Sequence, residues 1–254
     1  MLQKLRALFA TDTQQISLPS VPHGERVYAI GDVHGRRDLL CSLVQKIELD
    51  DAARGAARTT IVFLGDLIDR GPDSAGVIAD ILDLSHRRAV RVLAGNHEEM
   101  LLAALESEAV LRRFLEYGGR ETVVSYMGDL EAYRLLTMTE LTQLLPALLP
   151  VAHLAFLRNL EDQIRIGDYL FVHAGIRPGV RLPDQRPADL RWIRGGFLDS
   201  DENFGAMVIH GHTISEHVEM RSNRIGIDTG AYLHGKLTAI GLDGTERWFL
   251  EAQG

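Results

Sequence analysis

The chain holds a single cysteine, Cys41, among 254 residues. No intrachain disulfide can form, and neither a thiolate zinc site nor an oxidising compartment is indicated. The cytoplasm is therefore the expected location. A surplus of positive charge is also missing: 27 Lys and Arg stand against 35 Asp and Glu, a formal net charge of −8. Without a basic field nothing holds nucleic acid nonspecifically, so nucleic acid is not an expected partner. Bound cations would neutralise part of that acidic excess. No apolar run approaches the roughly 20 residues needed to span a bilayer, so no transmembrane segment is expected. Internal repeats and low-complexity tracts are absent.

What is present suits a globular protein with a substantial core: 46% of the residues are hydrophobic and 24% charged. Met1 to Phe9 carries Lys4 and Arg6 among Leu2, Leu5, Leu8 and Phe9, a short amphipathic helix or frayed tail whose apolar run breaks too early for a signal peptide. Thr11 to Glu25 is polar and punctuated by Pro19, Pro22 and Gly24, so residues 1–25 read as tail and linker and the folded domain as 26–254. Short β-branched or aromatic runs at Arg26–Ile30, Thr60–Leu64 and Val90–Leu93 each end in a glycine and a polar cluster. Helical stretches follow them at Arg37–Ile47, Ser74–Leu84 and Glu98–Leu115. Strands alternating with helices indicate an α/β architecture. From about 105 to 160 a leucine-rich, mostly helical block, broken by Gly118-Gly119, Gly128, Pro146 and Pro150, reads as an insertion. Strand signals resume at Tyr169–Val172, Ala206–Ile209 and Arg224–Ile227, with a final ribbon through Leu237–Leu242 and Arg247–Leu250.

Five polar clusters sit just after expected strands: GDVHG at Gly31–Gly35, GDLIDRG at Gly65–Gly71, GNHE at Gly95–Glu98, HAG at His173–Gly175 and HGH at His210–His212. Strand ends are where α/β enzymes place ligand sites. Asp, His and Asn together form an oxygen and nitrogen donor set suited to manganese, iron or zinc. In Asp32-Val33-His34 an extended loop would turn both side chains toward one ion. Taken alone, a DxH or a GNH is more often an Asx turn or a helix cap. Five clusters in this order, each after a strand, are not what isolated turns produce.

The ordered set GDxHG, GDxxDRG, GNHE, HAG and GH resembles the phosphoprotein phosphatases within the calcineurin-like metallophosphoesterases, over about Arg26 to Leu242. The resemblance implies a two-sheet β sandwich flanked by helices, with a dinuclear metal centre at one edge. Position by position, it implies that Asp32 and His34 bind the first metal, that Asp66 bridges both, and that Asn96, His173 and His212 complete the second site. A shared carboxylate would hold two cations about 3.5–4 Å apart, where they grip phosphate oxygens and lower the pKa of a water. His97 matches the general acid that protonates the leaving oxygen, and Asp69 the carboxylate that orients it. Arg70 and Arg194 match the pair that binds the phosphoryl group, with Arg191 as the alternative to Arg194; a planar guanidinium fork suits oxyanions. Within HGH the ligand implied is His212, leaving His210 as structural or supporting. Ile214 stands where related enzymes of the GHxH type carry a further histidine, which favours the Asp-His-Asp first site and disfavours a nuclease.

His23, His86, His153, His217 and His234 lack a motif and are expected to be structural. Tyr232 falls near a loop that approaches the site in relatives and is not assigned. Asp228-Thr229-Gly230 reads as a structural turn. The implied function is a metal-dependent phosphatase acting on phosphoserine or phosphothreonine, with phosphotyrosine as an extension, through direct attack of a hydroxide held by two divalent ions, manganese in the first instance. Phosphoproteins or phosphopeptides are the expected partners. The alternative is a symmetrical diadenosine tetraphosphate hydrolase acting on a dinucleoside polyphosphate. Glu98, which follows His97 as in the protein phosphatases, favours the first. A noncatalytic binding module would show an eroded ligand set, and no ligand is missing.

Overall fold

The computed structural model describes residues 18–254, so Met1 to Phe9 and the first part of the linker lie outside the described residues. In chain order the elements are β1 (Glu25–Ile30), α1 (Arg37–Ala53), β2 (Arg58–Phe63), α2 (Ser74–Arg87) and β3 (Ala89–Val92). Six helices follow: α3 (Asn96–Ala104), α4 (Glu108–Phe114), α5 (Arg120–Met127), α6 (Leu130–Leu135), α7 (Met138–Leu148) and α8 (Val151–Arg158). Then come β4 (Gln163–Ile166), β5 (Tyr169–Val172), α9 (Pro187–Trp192), β6 (Met207–His210), β7 (Glu219–Met220), β8 (Arg224–Gly226), α10 (Ala231–His234), β9 (Lys236–Asp243) and β10 (Glu246–Gln253). No single helix among them is long and apolar enough to cross a membrane.

The strands form two five-stranded sheets, ordered β10-β9-β1-β2-β3 and β4-β5-β6-β8-β7. Alternation along the strands divides their side chains between two packing layers. Val27 and Ala29 of β1 join Val62, Tyr169, Phe171, Ile209 and Ile240 between the sheets, while Tyr28, Ile30, Ile61 and Phe63 pack under the helices. With both faces covered, these strands read as continuous apolar runs. α1 presents Leu39, Leu40, Leu43 and Ile47 on one buried face. α2 does so with Val77, Ile78, Ile81 and Leu84, and Asp73 caps it by accepting the Gly76 N–H at 2.8 Å. Each such Leu or Ile, fully buried, adds about 1.5–3 kcal/mol. On the outer face of the second sheet Leu170, Val172, Val208, Leu190 and Phe197 form a smaller core. The molecule is thus a two-sheet sandwich flanked by helices.

β1, β2 and β3 run parallel, as do β5, β6 and β8. Parallel strands point their carboxyl ends the same way, so all five polar clusters emerge at strand ends that meet along one edge. The stretch expected as one helix over Glu98–Leu115 is two: α3 ends at Ala104, and Ser107 starts α4 by accepting the Val110 N–H. The end of the linker is also docked rather than loose, since Val21 is buried and its N–H donates to the Gly244 carbonyl. The short strands β4 and β7 carried no sequence signal of their own.

Candidate metal centre

The first two loops are zipped together by backbone. The Val33 and His34 N–H groups donate to the Asp66 carbonyl at 3.1 and 2.8 Å, and Gly35 N–H donates to Leu67. Gly71 is so close to this seam that a Cβ would sit 2.1 Å from the His34 carbonyl oxygen, which only glycine permits. Among the described residues, the non-glycine residues with positive φ are His34, Asp66, Asp69, Arg70 and His212, all of them candidates from the sequence. Left-handed backbone at such residues costs about 1–3 kcal/mol each and persists only where the surroundings impose it. Because His34 has φ of 46°, the Asp32–His34 loop is not extended as expected, and strand alternation does not bring the two side chains together.

Buried carboxyls and imidazoles then converge. His34 Nε2 lies 3.5 Å and His97 Nε2 3.8 Å from Asp66 Oδ2, while His173 Nε2 lies 3.4 Å from Asp66 Oδ1. Two groups emerge, His34 with Asp66 and His97, and Asp66 with His173 and His212, each with donor atoms close enough to share an ion. Asp66 belongs to both. His173 Nδ1 donates to the Leu64 carbonyl at 2.8 Å, which leaves Nε2 as a lone pair 3.0 Å from Asn96 Oδ1. Two facing acceptors are reconciled by a cation or by a turned Asn96 amide. His34 Nδ1 is likewise committed, to the Ile68 carbonyl at 2.8 Å.

Asp32 stands slightly apart. Its Oδ2 accepts the His212 N–H at 3.0 Å, and its Oδ1 is buried with no hydrogen-bond partner. A buried carboxylate oxygen without a donor is unfavourable unless a cation satisfies it. Burial, with Asp228 and Asp66 nearby, pushes Asp32 well above the usual carboxylate range, and burial raises Asp66 as well. Burial lowers the imidazoles: His34 well below its ordinary value, His173 to about 4 and His212 to about 2. They are neutral at pH 7, the form that ligates metal. The donor set and the orphaned oxygen fit divalent cations.

His97 differs from the other histidines in its second nitrogen: Nδ1 lies 2.6 Å from Asp69 Oδ2. Burial lowers His97 and pushes Asp69 well above the carboxylate range. Arg70 Nη1 lies 2.9 Å from His34 Nε2, and Arg194 Nε donates to His212 Nε2 at 3.1 Å, so both guanidinium groups border the cluster. Arg191 does not. It pairs with Glu99 and Asp162. His210 also points elsewhere, edge-on to Phe197 with ring centroids 5.1 Å apart.

Three neighbours were given no place in the site by the sequence. Glu98 lies beneath the bridge position: Oε2 accepts the Asp66 and Gly95 N–H groups at 2.9 Å, and Oε1 accepts Leu67 at 2.7 Å. Burial, with Asp66, pushes it up to about 7. Asp228 does make the expected turn, accepting the Gly230 N–H at 3.0 Å, but it is also buried and close enough to Asp32 to raise it. Tyr232 is within the site, edge-on to His34 at 5.2 Å and under the Arg70 guanidinium at 4.6 Å.

The family model for calcineurin-like phosphoesterases matches residues 25–228. Over 239 residues the chain is 28% identical to the asymmetrical bis(5'-nucleosyl)-tetraphosphatase PrpE of Bacillus velezensis, covering 83% of this chain and 86% of that protein. It is 30% identical over 222 residues to serine/threonine-protein phosphatase 1 of Salmonella typhimurium, covering 84% and 89%. A crystal structure provisionally called a diadenosine tetraphosphatase shares the fold, with a TM-score of 0.65 at 21% identity over 94% of this chain and 100% of that one.

Proposed function

Because the chain belongs to the calcineurin-like phosphoesterase family, we propose that it is a two-metal phosphatase acting on phosphoserine and phosphothreonine esters, with phosphotyrosine as an extension of the same chemistry. The observation that carries this reading is the Asp66 carboxylate, each of whose oxygens faces a different set of imidazole nitrogens at 3.4–3.8 Å. Asp32, His34 and Asp66 would hold one ion, and Asp66, Asn96, His173 and His212 the other; manganese is the first choice, and iron or zinc suits the same donors. When bound, such ions polarise phosphate oxygens and make a water nucleophilic near neutral pH.

The remaining steps belong to the chain. Arg70 and Arg194 offer planar forks to the phosphoryl oxygens, orienting the ester and balancing charge as it builds. To act as the acid His97 must carry a proton on each ring nitrogen: the Nε2 proton passes to the leaving oxygen, Nδ1–H stays on Asp69, and the ring is left neutral. Glu98 holds the loop that carries Asp66, through backbone N–H groups that a shorter side chain would reach less readily.

A second reading is hydrolysis of a dinucleoside tetraphosphate, supported by the likeness to PrpE. That relative is named as the asymmetrical enzyme, so the symmetrical cleavage expected from the sequence gives way to asymmetrical cleavage. Assays with manganese on a phosphoserine peptide, diadenosine tetraphosphate and nitrophenyl phosphate separate the two. The phosphatase reading expects the highest kcat/KM among the physiological esters on the phosphopeptide. Preferred turnover of the dinucleotide to AMP and ATP would replace it with the second reading, and turnover of none of the three would remove both.

A further inference from the structure

Asp69 and Arg70 are consecutive, both left-handed at φ of 73° and 67°, and neither is glycine. Local sequence does not favour that conformation, so the contacts that impose it come from elsewhere. They come from the start of α5 and the turn before it. The Arg70 N–H donates to the Gly118 carbonyl at 3.0 Å. Gly118 itself has φ of 103°, and a Cβ there would lie 2.6 Å from Arg70 Cγ. Thr122, buried on α5, reaches Asp69 twice: its Oγ1 donates to Asp69 Oδ1 at 2.5 Å and accepts the Asp69 N–H at 2.9 Å.

The proton accounting is closed. The Thr122 hydroxyl has one hydrogen, and it is spent on Asp69 Oδ1, so Ser74 Oγ, 2.9 Å away, must be the donor to Thr122. Ser74 also accepts the Asp69 N–H at 3.0 Å. One turn further along α5, Ser125 accepts the Ala75 N–H at 3.0 Å, which fastens α5 to the start of α2. Asp69 therefore has one carboxylate oxygen on Thr122 and the other on His97 Nδ1.

We propose that Thr122 is a positioning residue: delivered by the helical block between β3 and β4, its hydroxyl fixes the Asp69 carboxylate and thereby the orientation of the His97 imidazole. Through this one hydroxyl the helical block reaches the Asp69–His97 pair. The kinetic consequence rests on the reading of His97 as general acid; the positioning itself does not.

Thr122→Val removes the hydroxyl at nearly constant shape, and Thr122→Ser keeps it. In metal-free protein, proton NMR of the imidazole Nδ1–H of His97, assigned by its absence in His97→Asn, reads the hydrogen bond to Asp69 directly. The signal is expected to move upfield in Thr122→Val and to return in Thr122→Ser. With manganese, Thr122→Val should lower kcat on a phosphoserine peptide roughly tenfold, a fraction of the about 10²–10⁴-fold that a general acid supplies, with KM unchanged and nitrophenyl phosphate turnover nearly unaffected. In the His97→Asn background the same substitution should change nothing further. An unmoved Nδ1–H signal in Thr122→Val overturns the proposal whatever the kinetics do. A moved signal with equal slowing of both esters upholds the positioning and overturns the general-acid reading of His97 instead. Should Thr122→Val not fold, Ser74→Ala, which removes the donor to Thr122, must move the same signal in the same direction, and its failure to do so overturns the proposal.

Discussion

Asp69 Oδ2 lies 2.6 Å from His97 Nδ1, and both side chains are buried. A carboxylate in that place fixes the ring so that Nε2 faces the Asp66 side of the cluster. The value of His97 should then depend on the leaving group. A serine alkoxide needs a proton as its bond breaks, whereas nitrophenolate leaves with little help. His97→Asn is expected to lose about 10²–10⁴-fold on a phosphoserine peptide and far less on nitrophenyl phosphate. Asp69→Asn should follow the same trend more weakly. Metal content is measured alongside, because His97 groups with His34 and Asp66 in geometry and a lost ion would imitate a lost acid. Equal slowing of both esters at full metal content would leave His97 a role in positioning or charge stabilisation only.

The bridging role proposed for Asp66 has a sharper test. Asp66→Asn keeps the shape and removes the charge that faces three imidazoles, so both ions should be held weakly or lost. Asp32→Asn, whose carboxylate sits beside His212 and Asp228, should weaken chiefly one. Elemental analysis of the purified variants reads this directly. Two tightly held ions in Asp66→Asn would contradict a bridge.

His212 and His210 differ by two positions yet face different surroundings. His212→Ala should lower metal content, and His210→Ala should leave it near the wild-type value. The reverse order would mean that the ligand is the residue packed on Phe197, against the geometry.

That pair also marks what the sequence could and could not convey. The five clusters were legible because their residue types, order and position after strands carry chemistry locally. The α/β alternation was legible because strands covered on both faces read as apolar runs, whereas the sandwich was implied by the family resemblance. Side-chain alternation, by contrast, would put His210 and His212 on one face, but β6 ends at His210 and His212 is left-handed at φ of 63°. Asp32 and His34 fail the same rule for the same reason. Thr122 was invisible because it lies 53 residues from Asp69, and no local pattern links a helix between β3 and β4 to a loop after β2. Glu98 is visible in the sequence as the last residue of GNHE, but its hydrogen bonds to the Asp66 loop are a tertiary fact.

His210 supplies a pH-dependent prediction. Burial lowers it from 6.5 to about 4, so between those values the unfolded chain takes up a proton that the folded chain does not. The sign follows: its contribution is fully present above the unfolded value and is lost as pH falls toward the folded one. At about 1.4 kcal/mol per pH unit, wild type should lose about 2 kcal/mol between pH 7 and pH 5 relative to His210→Gln. Urea denaturation of both proteins at the two pH values measures the difference. An equal change in the two would show that His210 does not carry that dependence.

The central claim is that hydrolysis depends on cations gathered around Asp66. Protein stripped of metal to below a hundredth of an ion per chain should not hydrolyse nitrophenyl phosphate. Titration with manganese should restore turnover in step with binding and reach its plateau at two ions per chain. Full turnover in the stripped protein, with no gain on adding manganese, would contradict the account.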